Sequence, residues 1–512
     1  MPFVRKSAAV ARTICGSSFL LMVGCASFAP SVSPPAVAIP ARYAVPDADA
    51  DAAAATSAAA PPSVAAQSER VPTWWMRYGS PALDALVQEG LQRSPDLATL
   101  QHNLDAARQQ LRAQVGGSTL PSIDAGASGA RQRQLGLPGI SPPTSLYDSF
   151  VGQLQVGYTL DLFHANRYAN RASAYRVDAQ AYQLAQSRRA LAANIVTAAI
   201  TIASLHEQIV ATQRLVALSE SQAGDARRRD ALGAVGHDEA LEAERSAAAT
   251  AINLPMLRQQ EASARHALAV LLGRTPDQAP TPIALAALAV PQQIPVLVPS
   301  DLLHARPDIQ AAEALFGAAS ADVGAATARM FPQLTLSAQF GRGAYDWDAL
   351  GATPNIWRLG ASLTAPIFHG GALRAQRRGA QDAFAAAAEQ YRKTVLAAFQ
   401  DVADALVALE ADAGVLDAAT RATAAARSGY EDMARRAQLG AVSEYATRAS
   451  ELQYRSMQLD QIRAQASRLS DSARLFRALG TPPSEAAADG GGGAAPSARA
   501  STAPGAADPS SR

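Results

Sequence analysis

The chain is written twice, and that repetition limits its fold more than any other feature. Ser94-Pro95-Asp96-Leu97 returns as Arg306-Pro307-Asp308-Ile309, and Leu120-Pro121 returns as Phe331-Pro332 at the start of a strand-like run. Leu162-Phe163-His164 returns as Ile367-Phe368-His369. Arg228-Arg229-Asp230-Ala231-Leu232-Gly233-Ala234-Val235 matches Arg435-Arg436-Ala437-Gln438-Leu439-Gly440-Ala441-Val442, and Leu272-Gly273 and Leu479-Gly480 close the halves. The offsets stay between 205 and 212. One match arises easily by chance in an alanine-rich chain, but not a series in the same order. The 512 residues therefore hold a duplicated supersecondary unit, not a row of unrelated globular domains.

Both halves share one grammar. In the first, a helix is expected over 81–116, restarting at Pro95 behind Ser94. Two strand-like runs follow, then a long helix over 167–231, a glycine turn at 233–236 and a helix ending near Leu272. The second half repeats this with elements over 301–328, 333–341, 357–367, 373–438 and 442–479. A helix of about 65 residues is roughly 97 Å long, so two shorter helices stacked end to end would match it. Rods of that length must pack side by side as coiled coils. Apolar residues are 48% but aromatics only 5%, because alanine supplies much of the apolar share. Small side chains suit close helix contacts better than a thick core.

The strand pairs argue against a soluble coiled-coil spacer. Leu154, Val156, Tyr158 and Leu160 alternate with Gln153, Gln155, Gly157 and Thr159. Leu334, Leu336, Ala338 and Phe340 alternate with Thr335, Ser337, Gln339 and Gly341; Trp357, Leu359, Ala361 and Leu363 alternate with Arg358, Gly360, Ser362 and Thr364. Runs of about ten residues, apolar on one face and polar on the other, are the pattern of a transmembrane β-strand. Ile123 to Gly129 is a weaker run, and exposed strands of a soluble β-sandwich are the bland alternative. Four strands cannot close a barrel, and an open edge in lipid strands backbone groups at several kcal/mol each. Several chains must share one barrel, and three give twelve strands.

Residues 1–24 read as a signal peptide, with Arg5, Lys6 and Arg12 before an apolar stretch that ends at Met22-Val23-Gly24-Cys25. A cysteine placed there resembles a bacterial lipobox, which makes Cys25 an expected lipidation site; an ordinary signal peptide is the alternative. Ala26 in place of Asp favours outer-membrane over inner-membrane retention in lipoproteins. Residues 25–70 read as an Ala/Pro/Ser-rich lipid-anchored tether, 71–290 as the first repeat, 291–484 as the second and 485–512 as a disordered tail.

The chain resembles the TolC-like outer-membrane efflux proteins, and especially the lipid-anchored NodT-type subfamily serving resistance–nodulation–division pumps. Matching stretches span roughly residues 73–482. They include Trp74-Trp75-x-x-Tyr78-Gly79-x-Pro81-x-Leu83-Asp84-x-Leu86, Leu160-Asp161-Leu162-Phe163, Pro299-Ser300-Asp301-Leu302-Leu303-x-x-Arg306-Pro307-Asp308 and Ala365-Pro366-Ile367-Phe368-x-Gly370-Gly371-x-Leu373-Arg374. The resemblance implies an α+β membrane protein: a homotrimer whose twelve-stranded β-barrel, four strands per chain, continues into a long α-helical coiled-coil periplasmic barrel. It implies a passive exit duct for small molecules such as drugs, fed by an inner-membrane transporter through a periplasmic adaptor. An exit duct of a type I protein secretion system and a non-conducting scaffold lipoprotein are the alternatives. The expected place is the outer membrane, lipid-anchored and reaching into the periplasm.

The two Leu-Gly-Ala-Val turns fall farthest from the strands, where the family docks its adaptor. Arg228, Arg229, Leu232, Gly233, Ala234 and Val235, with Arg435, Arg436, Leu439, Gly440, Ala441 and Val442, are the candidate docking tips. Leu-Gly also reads as a plain helix C-cap. The family narrows its closed end with acids shortly after these turns, yet Ala446 and Ala449 stand at those places in the second copy. Asp238, Glu239 and Glu242 of the first copy, and Glu444, are the candidate aperture acids; solvated helix charges are the alternative. Net charge is +1, which gives no footprint for nucleic acid, and two cysteines rule out a disulfide framework. No metal-ligand cluster, phosphate loop or nucleophile–base pair stands out, so neither cofactor nor catalysis is expected.

Overall fold

The computed structural model describes residues 27–37, 73–135, 144–291 and 306–479. The signal peptide, Cys25, the Pro138–Pro143 loop, Pro299 to Ala305 and the 485–512 tail lie outside the described residues, as does most of the tether. A 3₁₀ turn, Trp74–Tyr78, leads into α1 (Pro81–Arg93) and α2 (Pro95–Thr119). Strands β1 (Ser122–Leu135) and β2 (Thr144–Leu160) follow, then α3 (Ala165–Ala231) and α4 (His237–Leu271). The second copy is α5 (Pro307–Ala328), β3 (Gln333–Ala344), β4 (Asn355–Thr364), α6 (Ala372–Gln438) and α7 (Glu444–Leu479). The helix expected from 301 starts at Pro307, whose missing N–H suits a first turn. The weakest strand on paper, β1, is 14 residues long. Its small side chains are held by pairing along its whole length with β2.

The strands form one antiparallel sheet in the order β1-β2-β3-β4. The register aligns the alternation across all four. Ile123 pairs with Val156, Val156 with Ala338 and Ala338 with Leu359. Residues opposite each other share a face, so these form an apolar row. The next row is Asp124, Gln155, Gln339 and Arg358, wholly polar. Ile123, Leu154, Phe340, Trp357, Leu359 and Leu363 are all exposed, Leu359 at 73%. One face therefore offers apolar groups to the surroundings and the other offers polar ones, as a sheet between lipid and water requires. Among the described residues, β1 and β4 have no partner on their outer edges.

The helices form a single layer. α3 and α6 are 67 residues each, about 100 Å long. α3 packs against α2, α4, α5 and α7, and α6 against α5 and α7. The order across the layer is α2/α4, α3, α5/α7, α6. α3 also carries an apolar window of mean hydropathy 1.4, long enough to cross a membrane, but 61% of it is buried among the other helices. That makes it the core rod. Its buried positions are dominated by alanine, including Ala172, Ala179, Ala192, Ala199 and Ala203. The rows at the two edges are less complete. α4 buries only Ala240, Ala247, Leu268 and Ala269, and leaves Leu241, Ile252 and Met256 exposed. α6 likewise exposes Leu396, Val407 and Val415.

The stacked short helices meet at two joints. In the first, Gly273 (φ +71) comes so close to α1 that an added Cβ would lie 2.5 Å from the Arg93 carbonyl oxygen, and Arg274 donates to both oxygens of Glu89 at 2.8 and 2.5 Å. In the second, buried Arg306 donates to the Ala478 carbonyl at the end of α7, to Asp308 and to Asp401 of α6, at 3.0, 2.6 and 3.1 Å. One guanidinium thus ties three helices and satisfies an orphan C-terminal carbonyl. Trp74 and Trp75 belong to the core. Trp74 stacks on Phe476 of α7 with ring centres 5.2 Å apart, and Trp75 donates its Nε1–H to Asp84 at 2.7 Å.

The start of the tether is not free. The Phe28 ring stacks on Phe331, and Phe331 on Phe163, each at 4.9 Å. The Phe28 N–H donates to the Tyr168 hydroxyl at 3.1 Å, and Ser320 donates to the Pro30 carbonyl at 2.7 Å. Val37 packs on the cluster around Ile309 and Tyr391. Eleven extended residues reach about 36 Å and 22 helical ones about 33 Å, so residues 27–37 run the length of α5. Three stacked rings give the extended reading of this stretch a docking surface.

Arg306→Ala would leave Asp308, Asp401 and the Ala478 carbonyl without their shared donor. We expect a loss of about 2–4 kcal/mol, read as a fall of several degrees in the melting temperature of the purified protein in detergent.

Candidate functional site at the hairpin tips

The long helices reverse at two tips of the same construction. At the first, the Gly233 N–H donates to the Asp230 carbonyl and the Ala234 N–H to the Arg229 carbonyl, both at 2.8 Å. At the second, the Gly440 N–H donates to Ala437 and the Ala441 N–H to Arg436, both at 2.9 Å. Gly233 and Gly440 sit at φ +67 and +74, the left-handed region open to glycine. Both tips are therefore Schellman caps, so the helix-cap reading of Leu-Gly holds. The cap also does something else: it turns Leu232 and Leu439 outward, 82% and 84% exposed. Two bare leucines beside glycines let another backbone approach an apolar knob closely.

The candidate arginines are spread among different partners. Arg228 pairs with Asp225 on its own helix, and Arg435 and Arg436 both pair with Asp432. Arg229 alone faces both hairpins. It pairs with Glu239 at 3.4 Å and lies over the Tyr445 ring of α7 at 5.7 Å. Of the four candidate acids, Glu239 is held by Arg229, Glu242 by Arg245 and Glu444 by Arg448. Asp238 sits in the first turn of α4, where the helix dipole favours a carboxylate. Three of the four acids thus lie in the first turns of α4 and the fourth starts α7. Among the described residues no cluster of three or more His, Cys, Asp or Glu is placed to hold a metal ion.

A set of contacts between the hairpins was invisible in the sequence. Arg448 of α7 pairs with Asp225 of α3, 223 residues away. Above it, Arg214 grips both oxygens of Glu451 at 3.0 and 3.2 Å, and Arg455 reaches the same carboxylate at 3.5 Å. Glu451 is only 5% exposed, so its charge depends on that fork. Arg463 donates to Gln208 at 3.0 Å one step further. Together with Arg229 and Tyr445, these contacts form a ladder stitching α3 to α7 from the tip upward. Pairs so far apart in the chain carry no spacing signal, and only the duplication hints that the two hairpins face each other.

Strands with a lipid-compatible face, joined directly to rods about 100 Å long and ending in apolar knobs, define the duct class of outer-membrane protein. The outer membrane efflux protein family matches residues 86–274 and 298–481, and the chain belongs to that family. It is similar to the pyoverdine export outer membrane protein OpmQ of Pseudomonas putida, 31% identical over 80% of this chain and 87% of that protein. The toluene efflux pump outer membrane protein TtgC of Pseudomonas putida is 30% identical over 80% of this chain and 84% of its own. The solved outer-membrane channel OprN superposes with a TM-score of 0.73 at 26% identity, covering 88% of this chain and 99% of that one. The protein is an outer-membrane efflux channel, and its helices extend into the periplasm.

At the first tip, the Asp230 carboxylate bonds His237 at 2.9 Å and pushes the imidazole above its usual value. That contact is at full strength below the ordinary histidine range and is lost as pH rises through the raised pKa. In an NMR titration, Asp230→Asn is expected to return His237 to the ordinary range; an unchanged midpoint would contradict the assignment.

Proposed function

We propose that three copies of this chain form a passive exit duct across the outer membrane, driven by an inner-membrane transporter through a periplasmic adaptor. The observation that carries the reading is the four-stranded sheet with two bare edges and one exposed apolar face, set on rods with bare lateral rows. An edge strand of ten residues leaves on the order of ten outward N–H and C=O groups. At several kcal/mol each in lipid, their cost exceeds the roughly 5–15 kcal/mol by which a domain is stable. Closure by further copies removes it. Twelve strands enclose a water-filled lumen, lined by the row of Asp124, Gln155, Gln339 and Arg358.

On this reading Cys25 carries the lipid. The stack on Phe28 sits three residues beyond it, at the base of the sheet, where an acyl chain reaches the inner leaflet. The exposed Leu232 and Leu439 knobs, with Gly233 and Gly440 beside them, receive an adaptor of matching apolar hollows. The substrate choice belongs to the transporter, since a wide lumen selects little.

The α3–α7 ladder is the closure. It holds the second hairpin against the first, and adaptor binding at the tips draws the two apart and widens the periplasmic end. The four candidate acids contribute charge to that end once three chains surround it.

In planar bilayers the wild-type protein should conduct poorly, while Arg448→Ala combined with Arg214→Ala should raise single-channel conductance several-fold. Loss of oligomers on native electrophoresis, or a double variant as closed as the wild type, would contradict the account. Metabolic labelling with palmitate should mark the wild type and spare Cys25→Ala.

A further inference from the structure

The two joints of the helical layer come from the same repeat but differ in charge. At the first, Arg274 and Glu89 neutralise each other and Gly273 closes the gap to α1. At the second, a cavity of about 460 Å³ remains between α3, α6 and α7, just beneath the start of α5. Five basic side chains line it against two acidic ones. The acids, Asp308 and Asp401, are both taken by Arg306. Lys393, Arg474 and Arg477 line the same cavity and make no ion pair among the described residues. Arg189 lies on the α3 wall, where burial pulls its guanidinium down to about 10.

We infer that this second joint binds a soluble, multiply charged oxyanion, of which inorganic phosphate and pyrophosphate are the simplest members. A concave basin with low-dielectric walls focuses the field of its cations and concentrates counter-ions of the opposite sign. Guanidinium forks match the geometry of phosphate oxygens, and the cations come from three helices, so one anion with several oxygens is needed to reach them. A lipid headgroup is excluded by distance. α5 places about 33 Å between this basin and the strands, which is beyond the reach of a headgroup held in the bilayer. A bound anion would bridge α3, α6 and α7 at the break between α5 and α7, where the column has no continuous backbone. The site thus acts as a removable pin in the shaft.

The test uses the full-length protein purified in detergent, with ionic strength held constant by sodium chloride. Pyrophosphate, and more weakly phosphate, should raise the melting temperature saturably by about 2–5 °C. Calorimetric titration of the wild type should give one site per chain. Lys393→Gln/Arg474→Gln/Arg477→Gln changes only exposed side chains and should keep its own melting temperature while losing the shift. The inference is overturned if pyrophosphate does no more than chloride, or if the triple variant responds like the wild type. Conductance of the triple variant is read in parallel, so failure here leaves the duct reading untouched.

Discussion

A β-strand cannot leave its edge bare in hydrocarbon, and most of this structure follows from that constraint. The sheet has two bare edges, and among the described residues no strand turns back to cover them. Its apolar face is exposed, with Trp357 at 71% and Leu363 at 66%, which a soluble sheet would bury. The layer of helices below has the same incompleteness, since α4 and α6 keep exposed apolar rows on opposite margins. Sheet and rods are thus unfinished in register with each other, and in the proposed assembly one operation, the addition of identical copies side by side, completes both.

Length then sets the rest. Rods of about 100 Å hold together only through a narrow and repetitive contact, and alanine provides it with little side-chain entropy to lose. The cost of this economy falls where a helix is interrupted. Each break needs its own fastening: Arg274 on Glu89 at one joint, Arg306 on three partners at the other. At the far end the fastening is the ladder from Arg448 to Arg463. It is built of ion pairs and polar contacts, with the carboxylate of Glu451 buried at its centre, so its strength depends on each charge keeping its partner. The lipid-compatible sheet and this ladder lie at opposite ends of one helical layer.

Much of the plan was legible in the sequence, because it depends on local periodicity. Alternation at Leu154 to Leu160 and Leu334 to Phe340 marked strands, and Gly233 and Gly440 marked the reversals. The length of β1 was not legible, since Ala125, Gly126 and Ser128 have no strand preference of their own and are held by β2. Nor was the docking of residues 27–37. A proline- and alanine-rich stretch reads as tether, and only the Phe331 and Phe163 rings give Phe28 a place to bind. The α3–α7 ladder was hidden for another reason. Arg448 and Asp225 are ordinary exposed-helix residues in the sequence, and pairing across 223 positions leaves no local trace. The effect of Asp238, Glu239, Glu242 and Glu444 depends on neighbouring copies, which the sequence of one chain does not place.

The duplication also sets the register in which copies should meet. β1 corresponds to β3 at an offset of 211, from Leu120 and Phe331, and β2 to β4 at 205, from Leu162 and Ile367. Within the chain, Val156 of β2 lies opposite Ala338 of β3. By the same symmetry, Ala361 of β4 should lie opposite Ala127 on β1 of the next copy, both on the apolar face. Opposed residues on antiparallel strands are about 4.5–5.5 Å apart at Cα, within reach of a disulfide. The direct test is therefore oxidation of Ala127→Cys/Ala361→Cys in native outer membranes, read on denaturing gels. A ladder that ends at the covalent trimer, absent from either single variant, is the predicted result. No cross-link, or a ladder that runs beyond three chains, would contradict a barrel closed by three copies in this register.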